Sequence, residues 1–328
     1  MLTQQTDYQN GWLRASNLIA FPHGWQVPAK TEQWAFETML NNLKPSTYLQ
    51  VVSFPWATLV DLLEQGCHEK AKFFLEALKF SPPNFAVKRV TVCQHIFALK
   101  LLPYFKQLGI TDLYWPHKVL HQNEIDGIKI HGFPLYPVMY HKYPHVADTK
   151  PFSERKYLYS FIGSYQEGLY LTSVRNFLFS LPSGDDGLII QRGEWHFEGD
   201  VYRDQVLGKP DPEDLKEIKR REEREYVEVL KETKFCLCPS GSGPNSIRLW
   251  EAIKFGCVPV LLSDDLDLRG LSAKALRVTE SKEEVEKLPA RLANTDPGEY
   301  LMSVDGEESL FGVIDNNLSP FFLKGVSL

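Results

Sequence analysis

The chain has 328 residues, 43% of them hydrophobic and 24% charged, which suits two folded domains of ordinary size and excludes intrinsic disorder. Its formal net charge of −6 leaves nucleic acid without a basic footprint to bind. The first ten residues are polar, and no apolar stretch approaches the length of a membrane span.

Strand and helix signals alternate along the whole sequence, the pattern of an α/β protein. Apolar runs predict strands over 18–21, 48–52, 88–93, 113–115, 128–130 and 135–139. Helical spacing predicts helices over 31–41 with Thr31 as cap, 58–65, 69–80 and 96–108, the last kinked or broken at Pro103. The polar stretch 142–154, with Pro144 and Pro151, reads as the linker between a first domain (1–150) and a second (151–328). The second opens with a strand over 157–162, a helix over 172–180 and a strand over 187–191. Residues 214–231 intersperse Glu and Arg, as a helix with a solvated face does. After the segment 234–264, taken up next, come a strand over 275–278 and a helix over 281–287, capped by Ser281 with Glu284 at the capping-box position. The segment from Leu318 is expected to form a helix or a tail packing back on the first domain.

Five cysteines (Cys67, Cys93, Cys236, Cys238, Cys257) are an odd number and fit a reducing compartment. Cys236 and Cys238 fall on one face of a strand, a spacing that suits packing rather than a zinc knuckle.

The densest signal lies between Lys234 and Asp264. Phe235–Cys238 is a short apolar run stopped by Pro239 and reads as a buried parallel strand. Ser240-Gly-Ser-Gly-Pro follows, a loop whose glycines let the backbone approach a ligand closely. A helix begins at Asn245 or Ser246, either of which can cap it, and ends at Gly256, before a second strand over 258–262. A loop between a strand's carboxyl end and a helix N-terminus is where open α/β sheets bind anions. Arg248 and Glu251 share one face of that helix. An arginine for phosphate beside a carboxylate for ribose hydroxyls suits a sugar nucleotide.

This segment resembles the C-terminal half of the exostosin family, glycosyltransferase family 47. The likeness covers Phe235–Asp264 nearly throughout: a strand ending in Cys-Pro, a glycine-rich loop, the Arg248-Leu-Trp-Glu-Ala helix, Gly256-Cys-Val-Pro-Val and Ser263-Asp264. Tyr157–Gly163 followed by Arg175 is similar to the family's strand, glycine and downstream arginine. The first half agrees only in general layout. The resemblance implies a GT-B fold, with two Rossmann-like domains facing a central cleft. It also implies a nucleotide-sugar donor, by default a uridine diphosphate sugar, and transfer to a glycan hydroxyl with inversion. Oligomeric state stays open. The polar N-terminus departs from Golgi-anchored members and leads to a cytoplasmic bacterial or viral enzyme, or a soluble form lacking its anchor, as the expectation.

Each candidate has a plainer role as well. Arg248 and Glu251 are expected to hold phosphate and ribose, though a solvated ion pair explains them too. Ser240, Asn245 and Ser246 offer donors to the same phosphates, or simply turn and cap chemistry. Gly163 and Ser164, at a strand end, approach the diphosphate from the other side, and Arg175 binds phosphate or pins its helix. Inverting transfer needs a base for the acceptor hydroxyl. His95 at a strand end ranks ahead of His23, with His117 a third candidate. No Asp-x-Asp sits where a metal-bound donor wants one, since Asp265-Leu-Asp267 follows the motif in a loop, so no metal or other cofactor is expected. The rivals are another GT-B activity, such as epimerisation or phosphorolysis, and a degenerate relative that binds glycan or scaffolds a partner.

Overall fold

The computed structural model describes residues 6–43, 45–81, 83–143, 150–269, 271 and 273–301. Two sheets organise them. The first runs β1 (Thr6–Gln9), β2 (Trp12–Ala15), β3 (Leu18–Ala20), β4 (Leu49–Ser53), β5 (Lys88–Val92), β6 (Asp112–Trp115), then β8 (Ile128–Gly132) with β7 (Glu124–Ile125) at the edge. From β3 through β4, β5 and β6 to β8 the pairing is parallel; β1, β2 and β7 pair antiparallel. The helices of this half are α1 (Thr31–Asn42), α2 (Trp56–Glu64), α3 (His68–Lys79) and α4 (Leu102–Gln107). They cover both faces, which is why β4 and β6 are almost wholly buried.

Helix α5 (Val138–Lys142) leads to the second sheet. That sheet comprises β9 (Tyr157–Ser164), β10 (Gly187–Arg192), β11 (Thr233–Pro239), β12 (Val258–Leu262) and β13 (Leu276–Arg277), all parallel, in the order β10-β9-β11-β12-β13. Its helices are α6 (Val174–Leu178), α7 (Glu213–Lys231), α8 (Ile247–Lys254), α9 (Lys282–Glu286) and α10 (Leu288–Ala293). The strand order reverses between β9 and β11, so the crevice beyond their carboxyl ends is the natural ligand position of this sheet. Two Rossmann-like sheets facing one cleft make this the α/β GT-B arrangement.

The halves are stitched together beside that cleft. Lys118 Nζ reaches Asp267 Oδ2 at 2.7 Å, with both side chains buried, and Leu120 N donates to Asp265 O at 2.9 Å. Asn245 Nδ2 donates to Pro116 O at 2.9 Å. A π-helical turn over Gly199–Val206 crosses from the second half and buries Val206 in the core of the first, against Leu59 and Phe74.

Several expectations change. Residues 135–139 are not a strand: Pro134 and Pro137 cannot donate to a ladder, and α5 begins at Val138. Thr31 does not cap α1; it is the first helical residue, and its hydroxyl accepts from Tyr136 N at 2.9 Å. Residues 96–108 split into a 3-10 turn (Ala98–Leu101) and α4, with Pro103 in the first turn of α4, where a missing N–H is harmless. The β1–β2 hairpin turns through Asn10 and Gly11 at φ 51° and 80°, an Asn-Gly turn signal that the reading of the N-terminus as merely polar passed over. Helix α7 has the expected solvated face, and its other side buries Glu223, Val227 and Leu230. Residues 144–149 of the linker, and the tail from Leu318, lie outside the described residues.

Candidate active site

Between the sheets lies a cleft of about 670 Å³. Its floor is the switch point. Arg175, on α6, donates from Nε to Ser240 O at 2.7 Å and from Nη1 to Ser164 O at 3.2 Å, tying the ends of β9 and β11 together. Arg248, in the first turn of α8, donates from Nη2 to Ile162 O, also on β9. Both guanidiniums lie near the Phe161 ring, with Cζ 5.7 Å (Arg175) and 4.6 Å (Arg248) from its centroid. Arg175 also stacks on Tyr170 at 4.4 Å. Each is thus held by main-chain carbonyls and aromatic faces rather than by a carboxylate, and Arg248 Nε is enclosed without a hydrogen-bond partner. Burial and the neighbouring Arg248 lower Arg175 to about 10, still cationic at neutral pH. Two adjacent cations with unmet donors form a receptor for a polyanion.

Gly163 makes this arrangement possible. A Cβ there would meet Phe161 Cζ at 2.9 Å and Arg248 Nη2 at 3.2 Å. Ser164 lines the cleft with its hydroxyl 2.5 Å from Tyr170 Oη. Ser246 lines it as well and occupies the N-cap position of α8, although its side chain makes no capping bond.

Glu251 sits one turn along α8 from Arg248 and lines the same wall. Oε1 accepts from Met139 N at 2.9 Å and Oε2 from Tyr226 Oη at 2.8 Å, and burial raises its pKa. Asn245 reaches the cleft, but its amide is committed to Pro116 O and to Trp250 Nε1 at 3.1 Å, so it serves the joint between the halves. Ser240 is not brought to the cleft. Its hydroxyl bonds Glu280 Oε1 behind the sheet end, and only its carbonyl serves the site, through Arg175.

The histidines fare differently from expectation. His23 is exposed and packs edge-on to Phe21 at 5.0 Å, outside the cleft. His95 lines the cleft, yet both ring nitrogens are occupied: Nδ1 accepts from Phe97 N at 3.0 Å, so Nε2 carries the proton and donates to Asp61 Oδ1 at 3.0 Å. No lone pair remains for an acceptor hydroxyl. His117 is buried with Nδ1 toward Asn245 N at 3.4 Å, and burial, then His95, push it down to about 3. Asp264 exchanges bonds with Glu280, away from the cleft, and Asp267 is the loop residue its spacing suggested. Trp12, Trp25, Trp56 and Trp115 belong to the core.

The cleft also holds residues that sequence reasoning passed over. Segment 194–207 carried no clear period, yet it places Trp195, His196 and Glu198 in the cleft. Glu223 and Tyr226, three apart on α7, point inward; Glu223 binds His196, Lys142 and Tyr143 at 3.1, 2.6 and 2.6 Å. A tyrosine and a valine set into a charged run were the available hint.

The exostosin GT47 domain matches residues 115–288 of the chain. An exostosin-1 homolog of Caenorhabditis elegans is 33% identical over 118 residues, covering 36% of this chain and 29% of the relative. A probable glucuronosyltransferase of Oryza sativa subsp. japonica is 40% identical over 72 residues (21% and 17%), and a probable β-1,4-xylosyltransferase of Arabidopsis thaliana is 51% identical over 43 residues (13% and 10%). The chain thus spans less than a third of the length of these curated relatives. Among solved structures, a Staphylococcus aureus MnaA–UDP complex aligns at 13% identity with a TM-score of 0.38, over 80% of this chain and 78% of the other. With its domain match covering more than half its length, including the whole second sheet, the chain belongs to the exostosin GT47 family.

Proposed function

We propose that the protein is an inverting glycosyltransferase moving a sugar from a nucleotide diphosphate donor, by default uridine diphosphate, to a glycan hydroxyl. The observation that carries this is the Arg175–Arg248 pair at the β9–β11 switch point, cationic, held by main-chain carbonyls and, among the described residues, without a carboxylate in a hydrogen bond or ion pair with it. A diphosphate placed there would gain charge as the sugar leaves, and fixed guanidiniums stabilise that charge without reorganising. The first half would hold the acceptor and the second the donor. Glu251, beside Arg248, is positioned for ribose hydroxyls, and Tyr226 fixes its carboxylate. With cations supplied by arginine, the reading needs no metal for the leaving group. The named activities of the glucuronosyl- and xylosyltransferase relatives support donors of that class. The arginine pair also weighs against a degenerate glycan-binding relative, which has no need of it.

The test is a thermal-shift titration with UDP and GDP, each with and without EDTA. A rise in Tm with UDP that EDTA leaves unchanged is the expected result. No rise with either nucleotide would sink the proposal, and a rise abolished by EDTA would replace the metal-independent form of it.

A further inference from the structure

The cleft has a donor receptor but, with His95 fully committed and His117 buried, it lacks the base that sequence nominated. The ionisable groups lining it can be sorted by what already holds them. His95 has both ring nitrogens engaged, and His117 is buried with Nδ1 toward Asn245 N and burial lowering its pKa. Glu251 accepts on both oxygens, and Glu223 is held by three donors. Glu194 is paired with Arg203 at 2.8 Å and Glu222 with Arg192 at 3.3 Å. Glu198 is different: it lines the cleft, is half-buried, and its carboxylate makes no hydrogen bond or ion pair among the described residues.

Its position fits the gap. Glu198 closes a turn onto Trp195 O (3.0 Å) and immediately precedes the π-helical turn that crosses to the first half. That places it where the two halves meet, beside Tyr202 on the turn and the Asp61–His95 pair that Tyr202 joins. The charged groups facing it are Arg203, Lys219 and Glu194, and these neutralise one another through their own pairs and Asp211. Burial raises the Glu198 carboxyl from its ordinary value, the direction that makes a carboxylate a stronger base. His196, the other partly open group, is tied through Nε2 to Glu223 and feels Glu251, on the donor wall.

We propose that Glu198 accepts the proton of the attacking acceptor hydroxyl. This rests on the transferase reading above. The acceptor O–H bond breaks and its proton passes to Glu198, while the acceptor oxygen bonds the anomeric carbon. The bond from that carbon to the donor phosphate oxygen breaks, and its electron pair leaves with the diphosphate toward Arg175 and Arg248.

The experiment measures UDP release from UDP-xylose and UDP-glucuronic acid across pH 5–9, with water or xylo-oligosaccharides as acceptor. It compares wild type, Glu198→Gln, Glu198→Asp and His196→Gln, and UDP thermal shifts are recorded alongside. Glu198→Gln is expected to lose about 100-fold or more in kcat, to lose the acid limb of the pH profile, and to keep the wild-type UDP shift. Glu198→Asp is expected to recover part of the rate and the acid limb. A Glu198→Gln variant with wild-type turnover and pH profile, or a loss confined to His196→Gln, overturns the assignment while leaving the donor site standing. Absence of a UDP shift in the wild type overturns the donor site itself.

Discussion

Arg175 and Arg248 share the Phe161 ring, their guanidinium carbons 5.7 and 4.6 Å from its centroid, and both donate to carbonyls at the end of β9 or β11. Like charges this close repel, so the pair is stable only because the carbonyls and the π-faces of Phe161, Tyr170 and Tyr226 surround it. A diphosphate would relieve the repulsion. Replacing either arginine by lysine keeps the charge and loses the planar fork. Each substitution should weaken UDP binding by about 10- to 100-fold, the worth of one to two charge-assisted hydrogen bonds. Isothermal titration of Arg248→Lys and Arg175→Lys would check this, and unchanged affinity in both would remove the pair from the donor site.

Gly163 offers a steric test of the same geometry. A methyl group there presses on Phe161 at 2.9 Å and Arg248 at 3.2 Å, so the guanidinium must move. Gly163→Ala is expected to lower stability by about 1–3 kcal/mol and to weaken the UDP shift disproportionately. Denaturation midpoints with and without UDP separate the two effects; an equal fall in both would show that only the fold was disturbed.

Glu32 predicts a pH dependence of stability. Its carboxyl is buried at the start of α1 and accepts from Ala57 N and Gln94 N, and burial raises it to about 8. The folded-state value lies above the unfolded one, so the protonated form favours the native state. This contribution is complete below about pH 4.5 and is lost as pH rises toward 8, at up to about 1.4 kcal/mol per pH unit. Glu32→Gln, which can still accept both bonds, should flatten the fall in Tm between pH 5 and 9. Parallel Tm profiles for wild type and variant would refute the assignment.

The joint between the halves rests on a buried ion pair. Lys118 and Asp267 bring side chains 9% and 0% exposed to 2.7 Å, and Arg269, then Lys118, hold Asp267 well below the usual carboxylate range. Asp267→Ala leaves the lysine charge buried and unpaired, and should cost about 3–5 kcal/mol. Replacing both residues by apolar ones of similar volume should restore much of that. Urea unfolding of the single and double variants would decide; a near-neutral Asp267→Ala would mean that the lysine finds water.

The second half was legible because its signals are local. Phe235–Pro239, the loop, α8 ended by Gly256 at φ 65°, and Val258–Leu262 each follow from a short apolar run, a glycine or a helix end. Arg248 and Glu251 fall on one wall because residues three apart share a helix face. The first half read less well. Pro134 and Pro137 override an apolar run, and the Asn10-Gly11 turn that closes the β1–β2 hairpin was passed over because β1 before it is short and polar. His95, a sound guess from its strand end, is disqualified by Asp61 and Phe97 N, and the Asp61 contact spans 34 residues.

The sequence by itself determined the α/β class, the parallel second sheet and the family, because spacing and turn residues act over a few positions. It also placed Gly163, Arg175, Arg248 and Glu251 at strand ends and on helix faces. Only the tertiary structure decided that both arginines lie against one phenylalanine, that His23 lies outside the cleft, and that, among the described residues, Glu198 is the uncommitted carboxylate lining it. Those outcomes depend on which side chains meet across the cleft. Hydrogen-bond satisfaction and burial are properties of that assembled neighbourhood, and no local pattern encodes them.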